Sequence, residues 1–115
     1  IEDLPRVDLI KIDVEGHEKF VLASLKNVIS RFKPDIICEV SPTHLRRSDS
    51  TALQICELMA GHDYSGFLID IEPDGTTSAR AHIRPYSPDE PSECNVLWVH
   101  RGKSPSALPF HSIRR

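Results

Sequence analysis

The sequence predicts an α/β domain, and three features carry that expectation. The run VDLIKIDV over residues 7–14 is almost continuously apolar apart from Asp8, Lys11 and Asp13, which suits a strand covered on both faces of a parallel sheet. It passes directly into a segment with Val21, Leu25, Val28, Ile29 and Phe32 at helical spacing, an amphipathic pattern. A second apolar run, DIICEV over residues 35–40, follows at once. Strand, helix and strand on short links make a right-handed βαβ unit with parallel strands. The whole chain is expected to read βαβαββ, parallel strands followed by an antiparallel pair.

Taken in order, the first strand is expected over roughly Val7 to Asp13 and the first helix from about His17 to Arg31. Lys33-Pro34 ends that helix, because proline disfavours the α conformation in the residue before it. Ser41 to Asp49 is polar and turn-rich and is expected to be a loop. Ser50 or Asp49 can cap a second helix, Thr51 to about Ala60, with Ile55, Cys56, Met59 and Ala60 toward a core. Gly61 stands where a helix end favours a residue tolerant of positive φ. Tyr64 to Ile71 reads as a third strand, broken by the Pro and Gly of EPDG. Thr76 to Glu93, with Pro85, Pro88 and Pro91, is expected to be a long excursion. Asn95 to His100 is the last strand, and with no helix between them the third and fourth strands pair antiparallel. Residues 1–101 form the domain, and 102–115 is expected to be a disordered tail.

Composition narrows the functional classes. The 115 residues suffice for one domain or part of one. The net charge of -3 argues against a nucleic-acid partner. No apolar run approaches the ~20 residues that span a bilayer, and the start shows no signal core. The three cysteines, Cys38, Cys56 and Cys94, have no C-x-x-C pairing and read as reduced thiols of a cytoplasmic protein. The chain looks as if it begins in mid-domain.

Parallel sheets bind ligands at the carboxyl ends of their strands. Here that end carries Asp13, Glu15, His17 and Glu18 around Gly16, with Glu39 at the end of the neighbouring strand. Asp13 can cap the following helix as readily as it can act on a substrate. Glu15 and Glu18 gain from the helix dipole, and His17 carries an imidazole, a side chain commonly used as a general base. Four potential ligands within six residues of one corner cannot all converge on a metal, so no metal site is assigned; an ion held there would be Mg²⁺. Lys11 is the natural partner for one of these acids. His44, Arg46 and Arg47 follow in the loop above the corner and can bind an acidic or sugar acceptor. Trp98 and Phe67 read as core.

These residues carry a resemblance. Lys11, Ile12, Asp13, Val14, Glu15, Gly16 and Glu18, followed by a helix and then Pro34, Ile36 and Glu39, resemble the signature of the FkbM family of S-adenosylmethionine-dependent methyltransferases. Ile1-Glu2-Asp3-Leu4 is similar to the acidic segment that precedes it, and NVLWVH to the domain's final strand. The resemblance implies a Rossmann-like class I methyltransferase fold, present in part. Such domains hold their cofactor on a G-x-G turn after the first strand, where missing side chains let backbone N–H groups approach. None of the five glycines forms one, so the chain would be the carboxyl-terminal half and would be inactive without its amino-terminal partner.

In that frame Asp13, Glu15 and Glu39 would be catalytic, and Asp13, Val14, Glu15 and Gly16 would contact S-adenosylmethionine. The product would be an O-methylated hydroxyl on a sugar, polyketide or similar small molecule. Two other classes stay open: a non-catalytic α/β binding module, and a metal-dependent α/β hydrolase with an acidic strand-end site, although Asp13-Val14-Glu15 lacks the D-x-D of one such group.

Overall fold

The computed structural model describes residues 6–73, 78–102 and 112–114. Its elements are β1 (Leu9–Ile12), α1 (Glu18–Ser24), α2 (Lys26–Phe32), β2 (Asp35–Val40), α3 (Pro42–Arg47), α4 (Ala52–Gly61), β3 (Tyr64–Pro73), β4 (Ser78–Pro85), β5 (Cys94–His100) and β6 (Ser112–Arg114). They form one sheet in the order β1-β2-β5-β3-β4-β6. β1 and β2 pair parallel, with Ile12 opposite Cys38. β5 lies between β2 and β3 and is antiparallel to both. The first three strands of the expected pattern therefore share one direction, and the antiparallel pairing expected between the third strand and NVLWVH is present.

Several elements differ from expectation, each for a local reason. The first helix is two helices that meet at Leu25, where Ser24 Oγ donates to the Val21 carbonyl at 2.7 Å; such back-bonding competes with the helical ladder and bends it. The loop expected at 41–49 contains α3. Ser41 caps it, its side chain accepting from the His44 N–H at 3.4 Å, and Pro42 occupies the first turn, where its missing N–H costs nothing. α4 is capped by Thr51 rather than Asp49 or Ser50, through a reciprocal box in which Thr51 Oγ1 accepts from the Gln54 N–H at 3.2 Å and Gln54 Oε1 accepts from the Thr51 N–H at 3.1 Å. Ala60 is exposed and Gly61 is the last helical residue, with positive φ at Asp63 instead.

The expected excursion over 76–93 is half strand. β4 pairs with β3 along its whole length, as the alternation in SARAHIRP permits, leaving 86–93 as a strap. The tail expectation falls mainly outside the described residues; of that stretch, Ser112–Arg114 pair with β4 as β6. The lead-in at residues 1–4 also lies outside them.

The main core is Leu22, Ile29, Leu45, Ile55 and Met59 from the helices against Ile12, Ile36, Cys38, Val40, Val96 and Trp98 from one sheet face. Trp98 Nε1 donates to Cys38 Sγ at 3.2 Å, the Trp98 ring leaves no space for a Cβ on Gly66, and Tyr86 of the strap meets it edge-on at 6.0 Å. Tyr64 OH donates to the Pro34 carbonyl at 2.6 Å. Both groups are desolvated, which pushes the Cys38 thiol up to about 12 and also raises the Tyr64 phenol. Phe67 is half-buried on the opposite face, in a cluster of strand residues around Leu97 and Val99. Among the described residues the helices join only the first cluster, so β1 is not covered on both faces as expected.

Candidate functional site

The corner after β1 is built on backbone. Glu15 and Gly16 both have positive φ, 45° and 102°, and the His17 N–H closes the turn on the Val14 carbonyl at 3.3 Å. Gly16 is required twice over: L residues rarely adopt such a φ, and a Cβ there would run into the His44 carbonyl of α3. The corner is thereby clamped against the crossover that leaves β2.

This clamp sets where the acids lie. Ile12 is opposite Cys38, so one step further on Asp13 is level with Glu39. Strand alternation turns Ile37 and Glu39 away from the helix side that Ile36, Cys38 and Val40 occupy. Asp13, Glu15 and His17 are exposed, Val14 and Glu39 half-buried, and Gly16 buried. The structure thus brings Asp13 and Glu39 to one rim and leaves Glu15 at the outside of the turn.

Glu93, missed in the sequence, completes the rim. It precedes β5, whose Asn95 is the register partner of Glu39. A hydrogen bond between the Glu93 and Glu39 carboxyl groups holds Glu39 above the usual carboxylate range; partial desolvation and the charges of Glu93 and Asp13 add to this, while His44 opposes it. Glu39 therefore holds a proton more readily than an isolated carboxyl group, which suits it to accept one from a substrate hydroxyl. The signal in the sequence was the acid just before the last strand, legible only once that strand is known to lie against β2.

Glu18 is not the solvated first-turn acid its position implies. It is 1% exposed and its Oε2 has no hydrogen-bond partner. Lys11 is exposed and makes no ion pair among the described residues. His44, Arg46 and Arg47 sit on α3, not on a loop. No group of three His, Cys, Asp or Glu side chains able to hold a metal ion occurs among the described residues, and no helix there is long and apolar enough to cross a membrane.

The family described as the Methyltransferase FkbM domain matches residues 1–65, a stretch that runs from the lead-in through β1, the corner, β2, α3 and α4. The chain belongs to the FkbM methyltransferase family. No curated protein and no solved structure matches it. FkbM domains generally use S-adenosylmethionine, and the donor set here fits one end of that cofactor. The exposed carboxylate of Asp13 complements a sulfonium cation, whereas no glycine-rich cradle for the nucleoside is present in the chain.

Proposed function

We propose that the chain is the carboxyl-terminal half of an S-adenosylmethionine-dependent FkbM methyltransferase domain that O-methylates a hydroxyl of a sugar, polyketide or similar metabolite. The observation that carries this reading is the register that brings Asp13 level with Glu39 at the carboxyl ends of adjacent parallel strands, with Glu93 beside Glu39 at the start of β5. The half-domain part draws support from β1, which among the described residues has a partner strand on one edge only and leaves Leu9 49% exposed.

The bound cofactor supplies an electrophilic methyl group. The chain's own residues have the complementary tasks. Asp13 offers negative charge beside the sulfonium. Glu39, kept basic by Glu93, accepts the proton that the acceptor hydroxyl loses as its oxygen attacks, and its half-buried position orients that hydroxyl. Val14 presents backbone at the corner, and Gly16, packed on the His44 carbonyl, holds the turn that places it.

Calorimetric titration with S-adenosylmethionine tests the reading. The polypeptide extended by its upstream coding sequence is expected to bind and these 115 residues alone are not. Tight binding by the short chain would overturn the half-domain claim, and no binding by either would overturn the cofactor assignment.

A further inference from the structure

We propose that the cavity between α3, the start of α4 and the 86–93 strap is a binding subsite for a neutral sugar ring. This deepens the reading above by naming the acceptor's chemistry, and it rests on that reading only in treating the sugar as part of the acceptor. The cavity has a volume of about 470 Å³, within the ~300–1,000 Å³ usual for small-molecule sites. Its walls include Pro42 and Arg46 of α3, Leu53 of α4, and Pro88, Asp89 and Pro91 of the strap.

The lining mixes apolar surface with polar side chains, among them one charge of each sign that makes no ion pair among the described residues. Leu53 is 53% exposed, a large apolar surface held open beside three prolines. Arg46 and Asp89 are exposed and make no ion pair among the described residues. Glu90, by contrast, is held by Arg84 at 3.1 Å. The first turn of α4 is already served by the reciprocal Thr51–Gln54 box, so an anion gains little there.

Three ligand classes can be weighed against this lining. A wholly apolar ligand would strip water from Arg46 and Asp89 without replacing its hydrogen bonds. A phosphate or carboxylate would face Asp89 as well as Arg46, and the one charge offsets the attraction of the other, Glu90 being held by Arg84. A sugar ring has hydroxyls that both accept from a guanidinium and donate to a carboxylate, and C–H faces that cover Leu53 and the prolines.

Position ties the cavity to the corner. α3 begins directly after β2, and the strap enters β5 at Cys94, the register partner of Val40. The cavity therefore opens at the same end of the sheet as Asp13 and Glu39. α3 is the shared wall: its His44 carbonyl packs on Gly16, while Pro42 and Arg46 line the cavity. A sugar held there is a remote unit of the acceptor, and its binding energy positions the hydroxyl that reacts.

The test is a ¹H–¹⁵N NMR titration of the 115-residue chain with four probes in turn: the methyl α-glycosides of glucose, galactose, mannose and rhamnose. At least one is expected to give saturable shifts confined to the amides of 43–54 and 87–93, with a Kd on the order of millimolar. Arg46→Gln is expected to weaken that binding about tenfold through a lost charge-assisted hydrogen bond. Leu53→Ala is expected to weaken it roughly fivefold through lost apolar contact. Both are surface changes that leave the melting temperature unaltered. Absence of saturable shifts with all four glycosides, the same shifts produced instead by inorganic phosphate, or unchanged affinity in both variants would overturn the proposal. Sugar binding here with no cofactor binding by the extended polypeptide would support this subsite and sink the methyltransferase reading of the corner.

Discussion

β1 and β5 are both mainly apolar, LIKI and CNVLWVH, yet their surroundings are opposite. Val96, Leu97, Trp98 and Val99 are at most 2% exposed, whereas Leu9 is 49% exposed and Lys11 also faces solvent. β5 finds its cover within the chain: β2 and β3 pair on its two edges, and Gly66 and Tyr86 enclose Trp98. β1 has β2 on one side and the sheet's end on the other. Fully burying a Leu or Ile side chain is worth about 1.5–3 kcal/mol, so much of what β1 can contribute is not realised in this chain. The difference separates a strand that holds the fold together from one that presents the site.

The largest effect is expected where β5 is most enclosed. Trp98→Ala removes the ring that packs on Gly66 and Tyr86 and leaves Cys38 without its N–H donor. It is expected to cost about 3–5 kcal/mol of stability, as deletion of a buried aromatic does. Urea unfolding measures this, and a loss below ~1 kcal/mol would mean that β5 is not the centre of the core. Gly16→Ala comes next. At φ +102° and against the His44 carbonyl, it is expected to cost about 2–3 kcal/mol, and to shift the NMR signals of α3 together with those of the corner. That coupled shift distinguishes the clamp from simple backbone strain.

A smaller effect comes from the rim. The folded Glu39 carboxyl titrates above its unfolded value, chiefly through the Glu93 hydrogen bond and also through desolvation and the charges of Glu93 and Asp13, against His44. The folded state thus binds more protons, and the stability that this contributes is full below the unfolded pKa and is lost as pH rises through the folded one. Glu93→Gln removes the like charge. It is expected to lower the Glu39 pKa, seen by carboxyl ¹³C titration, and to raise stability at neutral pH by under ~1 kcal/mol, since partly exposed charges are screened. No such gain is expected at pH low enough to protonate both acids. An unshifted Glu39 would break the pairing.

The parts legible in the sequence were those with a local cause. The periodicities of β1, β2, α4 and β5 mark their own elements, and the DVEG corner marks its own turn. α3 and β4 were missed although their signals were present. Ser41-Pro42 is a cap followed by a first-turn proline, and SARAHIRP alternates, but three prolines nearby outweighed that alternation. The site was half legible for a different reason. Asp13 and Glu39 lie at the ends of consecutive strands, so chain order brings them together. Glu93 reaches them only because β5 inserts beside β2 across more than fifty residues of sequence, a long-range pairing that no local pattern encodes. The helix-dipole role of Glu18 follows from its position in the first turn, whereas its burial is set by tertiary packing that the local pattern does not encode.

The smallest effect is expected at β1, and it bears most directly on the comparison. Leu9 is half exposed on a strand paired with β2 alone. Leu9→Lys should therefore change folding stability by less than ~0.5 kcal/mol, as surface substitutions do. A charged edge also resists pairing with another strand. The variant is expected to reduce any self-association of the short chain seen by analytical ultracentrifugation, and to weaken docking of a separately supplied upstream half if that half adds its strand to β1. A cost comparable to that of Trp98→Ala would show that Leu9 belongs to the core after all and that β1 is no edge. An unchanged melt with unchanged docking would place the contact of the proposed upstream half elsewhere on the sheet, away from the strand that carries Asp13 to the rim.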